Sequence, residues 1–103
     1  MYNFKVNNSV IEYSFKYLSN VTIPTSSISE DSTYTALPYR TSLQTWTGLT
    51  ADYRPDASIN PDNAYEDNFM IASASGGFYV YFASLPEAAV VFDYISMQLG
   101  VSA

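Results

Sequence analysis

The sequence predicts an α+β fold: a small antiparallel sheet of four to six strands, built from two β-hairpins, with one C-terminal amphipathic helix packed on it. Three observations carry that prediction. Apolar and polar residues alternate on both sides of Asn7-Asn8-Ser9, two aromatic-rich runs flank Ser75-Gly76-Gly77, and a capping-box pattern precedes apolar residues at helical spacing near the C-terminus. The 103 residues form one domain, 1–103. A chain of this mass buries about two-thirds of its surface on folding, enough for a single core.

Taken in order, Tyr2, Phe4 and Val6, then Ile11, Tyr13, Phe15 and Tyr17, alternate with polar residues and predict a hairpin over 2–18. Its buried side carries the aromatics, and Glu12, Ser14 and Lys16 line the wet side. Val21-Thr22-Ile23 extends or follows the second strand up to Pro24, which cannot donate to a ladder. Residues 25–33 are rich in Ser and Thr and read as a surface loop. Between Tyr34 and Thr47, Leu37, Leu43 and Trp46 suggest one or two short strands interrupted at Pro38.

Residues 49–68 read as an irregular acidic loop, broken by Pro55 and Pro61. The run 69–84 predicts a second hairpin, with Gly76 and Gly77 supplying positive φ at the turn. Phe78, Val80 and Phe82 share one face of its second strand, and Tyr79 and Tyr81 the other. Both faces are apolar enough for the strand to be central or for its Tyr face to be an interface. Ser84-Leu85-Pro86-Glu87 matches a capping box, and Ala88, Val91, Phe92, Ile95 and Leu99 follow at helical spacing, predicting a helix over 85–99 that ends at Gly100.

The chain has no Cys and no His, which removes thiolate and imidazole chemistry from its repertoire and leaves its redox compartment unreadable. Its net charge is −6, and the four cations, Lys5, Lys16, Arg40 and Arg54, are dispersed. Binding to a nucleic-acid backbone or an anionic membrane draws on clustered cations, so neither is an expected direct partner. No basic leader or apolar span is visible, which predicts cytoplasmic synthesis without an export signal. The Asn7-Asn8-Ser9 and Asn20-Val21-Thr22 tripeptides then fit the glycosylation pattern by chance.

Charged residues make up only 14% of the chain, against about 25% in ordinary globular domains. Fourteen Ser, eight Thr, seven Asn and ten Tyr stand in their place. Interface cores disfavour Lys and Glu and favour aromatic rings, so this composition points to a surface made for contact.

Catalytic and metal chemistry find weaker footing. Asp56-x-Ser58-x-Asn60-x-Asp62 resembles the start of a calcium loop, but Pro61 stands where the sharp turn needs Gly, and no bidentate Glu closes it. Carboxylate pairs such as Glu66-Asp67 or Asp52 with Asp56 lack any surroundings that would raise a pKa. Ser75-Gly76-Gly77 precedes a strand and has no lysine, unlike a phosphate loop. The expected chain is therefore not an enzyme and carries no cofactor or metal.

The leading reading is a structural or accessory subunit of a larger assembly, with a bacteriophage virion as its setting, that touches protein partners as a homo-oligomer or beside other subunits. The candidate interface residues are Trp46, Asp52, Asp56, Asp62, Tyr65, Glu66, Asp67, Tyr79 and Tyr81. The alternative is a small acidic phage-encoded inhibitor, an anti-defence protein, that occupies a basic nucleic-acid-binding site through its carboxylates. A third class, a small enzyme or ligand-binding module, needs a pocket with convergent carboxylates.

Overall fold

The computed structural model describes residues 15–62 and 65–99. Eight strands fill most of that length: β1 (Phe15–Ile23), β2 (Ile28–Tyr34), β3 (Leu37–Thr41), β4 (Gln44–Thr45), β5 (Tyr53–Ile59), β6 (Phe69–Ala74), β7 (Gly77–Phe82) and β8 (Val90–Leu99). One 3-10 turn, Thr25–Ser27, links β1 to β2. The α+β expectation is thus corrected to a nearly all-β fold of two antiparallel sheets. Among the described residues no helix is long and apolar enough to cross a membrane.

The first sheet has the order β1-β8-β5. The second places β7 at its centre, with β6 along one side; β3 and β4 share the other side, and β2 lies outside β3. Ile23, Val90, Phe92, Ile95 and Met97 from the first sheet meet Ile71, Phe78, Val80 and Phe82 from the second in one core, joined by Leu49 and Tyr53. The Phe69 and Phe92 rings join the two sheets edge to face, 5.4 Å apart. Packing of this kind is worth about 1 kcal/mol beyond the area it buries.

The predicted helix over 85–99 is absent: Val90–Leu99 is the central strand of the first sheet, paired along β1 and β5. The reason lies at Asp93. Ser58 pairs with Tyr94 and Ile59 with Phe92, so Asp93 is an extra residue, a β-bulge. Opposite it on β1, Asn20 adopts φ +54° between the pairs Ser19 with Tyr94 and Val21 with Phe92. The bulge shifts the alternation by one, so Val90, Phe92, Ile95 and Met97 all face the core. That spacing imitates one side of a helix. The capping box is also differently employed: the Ser84 amide donates to the Tyr65 hydroxyl at 3.3 Å, and Pro86 is buried.

Residues 49–68 are not a continuous loop, because β5 runs through them. Pro55 is tolerated since β5 is an edge strand in its sheet, paired with β8 alone. Residues 25–33, read as a loop, likewise contribute most of β2. Of the hairpin over 2–18, residues 2–14 lie outside the described residues. Residues 15–18 belong to β1 and pair with β8.

β6 and β7 form a hairpin around Ser75-Gly76. Only Gly76 holds positive φ there, at +82°. Gly77 is required for a different reason: a Cβ on it would overlap the Gln44 carbonyl of β4.

Candidate functional site

Phe78, Val80 and Phe82 of β7 turn into the core, which sends Tyr79 and Tyr81 to the outer face of the five-stranded sheet. Cross-strand pairing places Arg40 of β3 and Met70 of β6 on either side of Tyr81, and Ala72 beside Tyr79. The Arg40 guanidinium lies 4.4 Å from the Tyr79 ring centroid, a cation–π contact. The Tyr34 ring meets Tyr81 edge-on at 4.9 Å. Tyr81 is consequently only 6% exposed and cannot anchor a partner alone, whereas Tyr79 remains half-buried and Tyr34 is 43% exposed.

Asp31 of β2 pairs with Arg40 at 3.6 Å. Hydrogen bonds from Thr33 hold the Asp31 carboxyl below its ordinary pKa, and Arg40 adds to the effect. The Arg40 pKa is raised, first by its hydrogen bond with the Tyr81 hydroxyl and then by Asp31. The result is a fixed cation set among aromatic rings.

A second exposed face belongs to the three-stranded sheet. Its outward positions form three rows across β1, β8 and β5: Phe15, Gln98 and Arg54; Tyr17, Ser96 and Asp56; Ser19, Tyr94 and Ser58. Phe15 is 49% exposed and Tyr17 55%. This reverses the expected sidedness of β1, since Lys16 turns inward, where its Nζ lies 6.0 Å from the Tyr53 ring centroid. A lysine stem covers apolar surface while its ammonium stays accessible, so a polar residue can occupy that side. Tyr17 and Tyr94 stack at 5.9 Å, and the Tyr94 hydroxyl donates to Asp56 at 3.1 Å. That bond raises the Tyr94 pKa.

The remaining sequence candidates are scattered. Trp46 packs edge-on against Phe78 at 6.1 Å and is half-buried. Asp52 and Asp62 are exposed in turns, where their own amides bond to Thr50 and Asn60 side chains. Asp56 sits on the outer face of β5. The Tyr65 hydroxyl lies between the Asn68 and Ser84 carbonyls, at 3.1 and 3.2 Å, and its ring packs edge-on against Phe82. Tyr65, Glu66 and Asp67 line an open cleft of about 550 Å³ with Leu85, Pro86 and Glu87.

The calcium-like alternation is not a loop: Asp56 and Ser58 lie in extended β5, where alternate residues stand about 6.8 Å apart and their oxygens cannot converge. Among the described residues no three Asp or Glu side chains gather where they could hold a metal ion.

Sequence reasoning singled out Tyr79 and Tyr81 but missed Tyr34, Arg40 and Met70, which only strand pairing brings beside them. It also missed Phe15, Tyr17 and Tyr94 as an exposed group. Comparison with family models, with curated proteins and with solved structures finds no match to this chain.

Proposed function

We propose that this chain is a non-enzymatic subunit or accessory component of a larger assembly, acting through protein–protein contacts made by the outer face of its five-stranded sheet. The carrying observation is the Arg40–Tyr79 contact, flanked by Tyr34, Tyr81 and Met70. Tyr, Arg and Met are the residue types enriched at interface cores. Here the chain itself holds the Tyr34, Tyr79, Tyr81 and Arg40 side chains against one another, which lowers the ordering cost of binding. Asp31 balances Arg40, so the patch is close to neutral on a protein of net charge −6 and does not repel another acidic chain.

The partner is a second copy or another subunit of the same assembly. A bacteriophage particle as the setting rests on surface chemistry alone: few charges, with Ser, Thr, Asn and Tyr in their stead. Size-exclusion chromatography with light scattering at several concentrations tests the reading, on protein taken from the cells that make it. Complexes that Arg40→Glu dissolves are expected. A strict monomer that copurifies with nothing would overturn it.

A further inference from the structure

We infer that β5 shields the edge of β6 across a seam that can part, with Ser73 as its latch and Pro55 as the residue that keeps the two strands from fusing into one ladder. Charges, prolines and short length are the means by which strand edges resist pairing with another chain. Most edges of the two sheets guard themselves in these ways. β2 carries Glu30 and Asp31, β1 carries Lys16, β5 carries Arg54, Pro55 and Asp56, and β4 is only two residues long. β6, with the sequence Phe-Met-Ile-Ala-Ser-Ala, has none of these devices. Its cover comes from the other sheet instead.

The Ala83 amide donates to the Asn68 carbonyl, and the ladder continues in that register as far as Ala74 and Gly77. Alternation therefore turns the main-chain groups of Met70 and Ala72 toward β7, and those of Phe69, Ile71 and Ser73 away from it. On β5 the Tyr53 carbonyl accepts from the Ser73 hydroxyl, so Tyr53, Pro55 and Ala57 turn their main-chain groups away from β8 and toward β6. The two strands run antiparallel, with Tyr53 beside Ser73 and Pro55 to Ala57 beside Phe69 to Ile71. Among the described residues no ladder joins them. Opposite Ile71 stands Pro55, which has no amide to donate, and there a gap of about 250 Å³ separates the strands. The other end is closed, because the Ser73 hydroxyl reaches both the Tyr53 carbonyl and, at 3.4 Å, the Ala51 carbonyl. A seam tied by one side chain at one end, with no ladder along its length, opens at lower free energy than the laddered strands beside it.

The test uses the full chain, which has no cysteine, so that a single introduced thiol reports opening without background. Ile71 lines the seam and is 7% exposed, while Val80, its partner across the hairpin, is fully buried on the central strand. Ile71→Cys and Val80→Cys are each labelled with a bulky maleimide under native conditions, after circular dichroism melts show that both fold cooperatively. When reclosing outpaces labelling, the rate follows the population of the open form. Ile71→Cys should react faster than Val80→Cys. Adding Ser73→Ala should speed labelling of Ile71→Cys about two- to tenfold, the fold-change of one hydrogen bond's net worth, and leave that of Val80→Cys unchanged. Adding Pro55→Val, which restores a donor opposite Ile71, should slow it. Three results would each overturn the seam: equal labelling at the two positions, no response of Ile71→Cys to Ser73→Ala or an equal response at both positions, and labelling undiminished by Pro55→Val.

Discussion

The Thr41 hydroxyl accepts a hydrogen bond from the Val80 amide at 3.1 Å, spanning 39 positions of sequence in the buried centre of the five-stranded sheet. β3 pairs with β7 as far as Arg40 and Tyr81, and β4 resumes at Gln44 and Phe78. Between them the chain leaves the ladder at Ser42 and Leu43. One side chain fills the gap, and Thr41 is fully buried for that reason. Thr41→Val preserves shape but orphans the Val80 amide, so urea denaturation should show a loss of about 1–3 kcal/mol. Thr41→Ser, which keeps the acceptor, should lose less.

The two turn glycines should respond differently to alanine. Gly76→Ala places a side chain at φ +82° in open space, at a cost of about 1–2 kcal/mol. Gly77→Ala drives a Cβ into the Gln44 backbone and must separate β4 from β7. Thermal melts should rank Gly77→Ala as the more damaging, and amide exchange at Thr45 should rise only in that variant.

The bulge at Asp93 is held by the Asn60 side-chain amide, which donates to the Asp93 carboxylate at 2.7 Å, while the Asn60 backbone amide donates to Val91. A double-mutant cycle of Asn60→Ala and Asp93→Ala should return a favourable coupling of about 0.5–3 kcal/mol. A coupling of zero would detach the bulge from Asn60.

Tyr94 should ionise at higher pH than an ordinary phenol, because ionisation breaks its hydrogen bond to Asp56 and sets two negative charges together. A folded-state pKa above the unfolded one means that the contact stabilises below the unfolded phenol pKa. That contribution fades as pH rises through the folded value. Titration of the Tyr94 ring by NMR should show the raised midpoint, and Asp56→Asn should lower it.

How far the sequence discloses this molecule depends on where its pattern is local. The hairpin of β6 and β7 is legible because two aromatic runs and a turn glycine lie within one short segment. The helix over 85–99 misleads because the Asp93 bulge changes a two-residue spacing into a three-residue one between Phe92 and Ile95. The better signal was composition: Val90, Val91, Phe92, Tyr94 and Ile95 are β-branched or aromatic. β5 hides behind Pro55, which signals a break unless the strand is known to be an edge. The Tyr79 and Tyr81 face is legible as a tyrosine face, yet its covering by Tyr34 and Arg40 depends on pairings between distant segments that no local pattern encodes.

The most direct test of the contact role is photo-crosslinking from the outer face of the five-stranded sheet. Ala72 pairs with Tyr79 across β6 and β7, and is the site for a benzoylphenylalanine probe in the cells that make the protein. The account predicts a protein adduct, to a second copy or another subunit, that Arg40→Glu removes. A probe at Ala72 that yields only uncrosslinked monomer would contradict it.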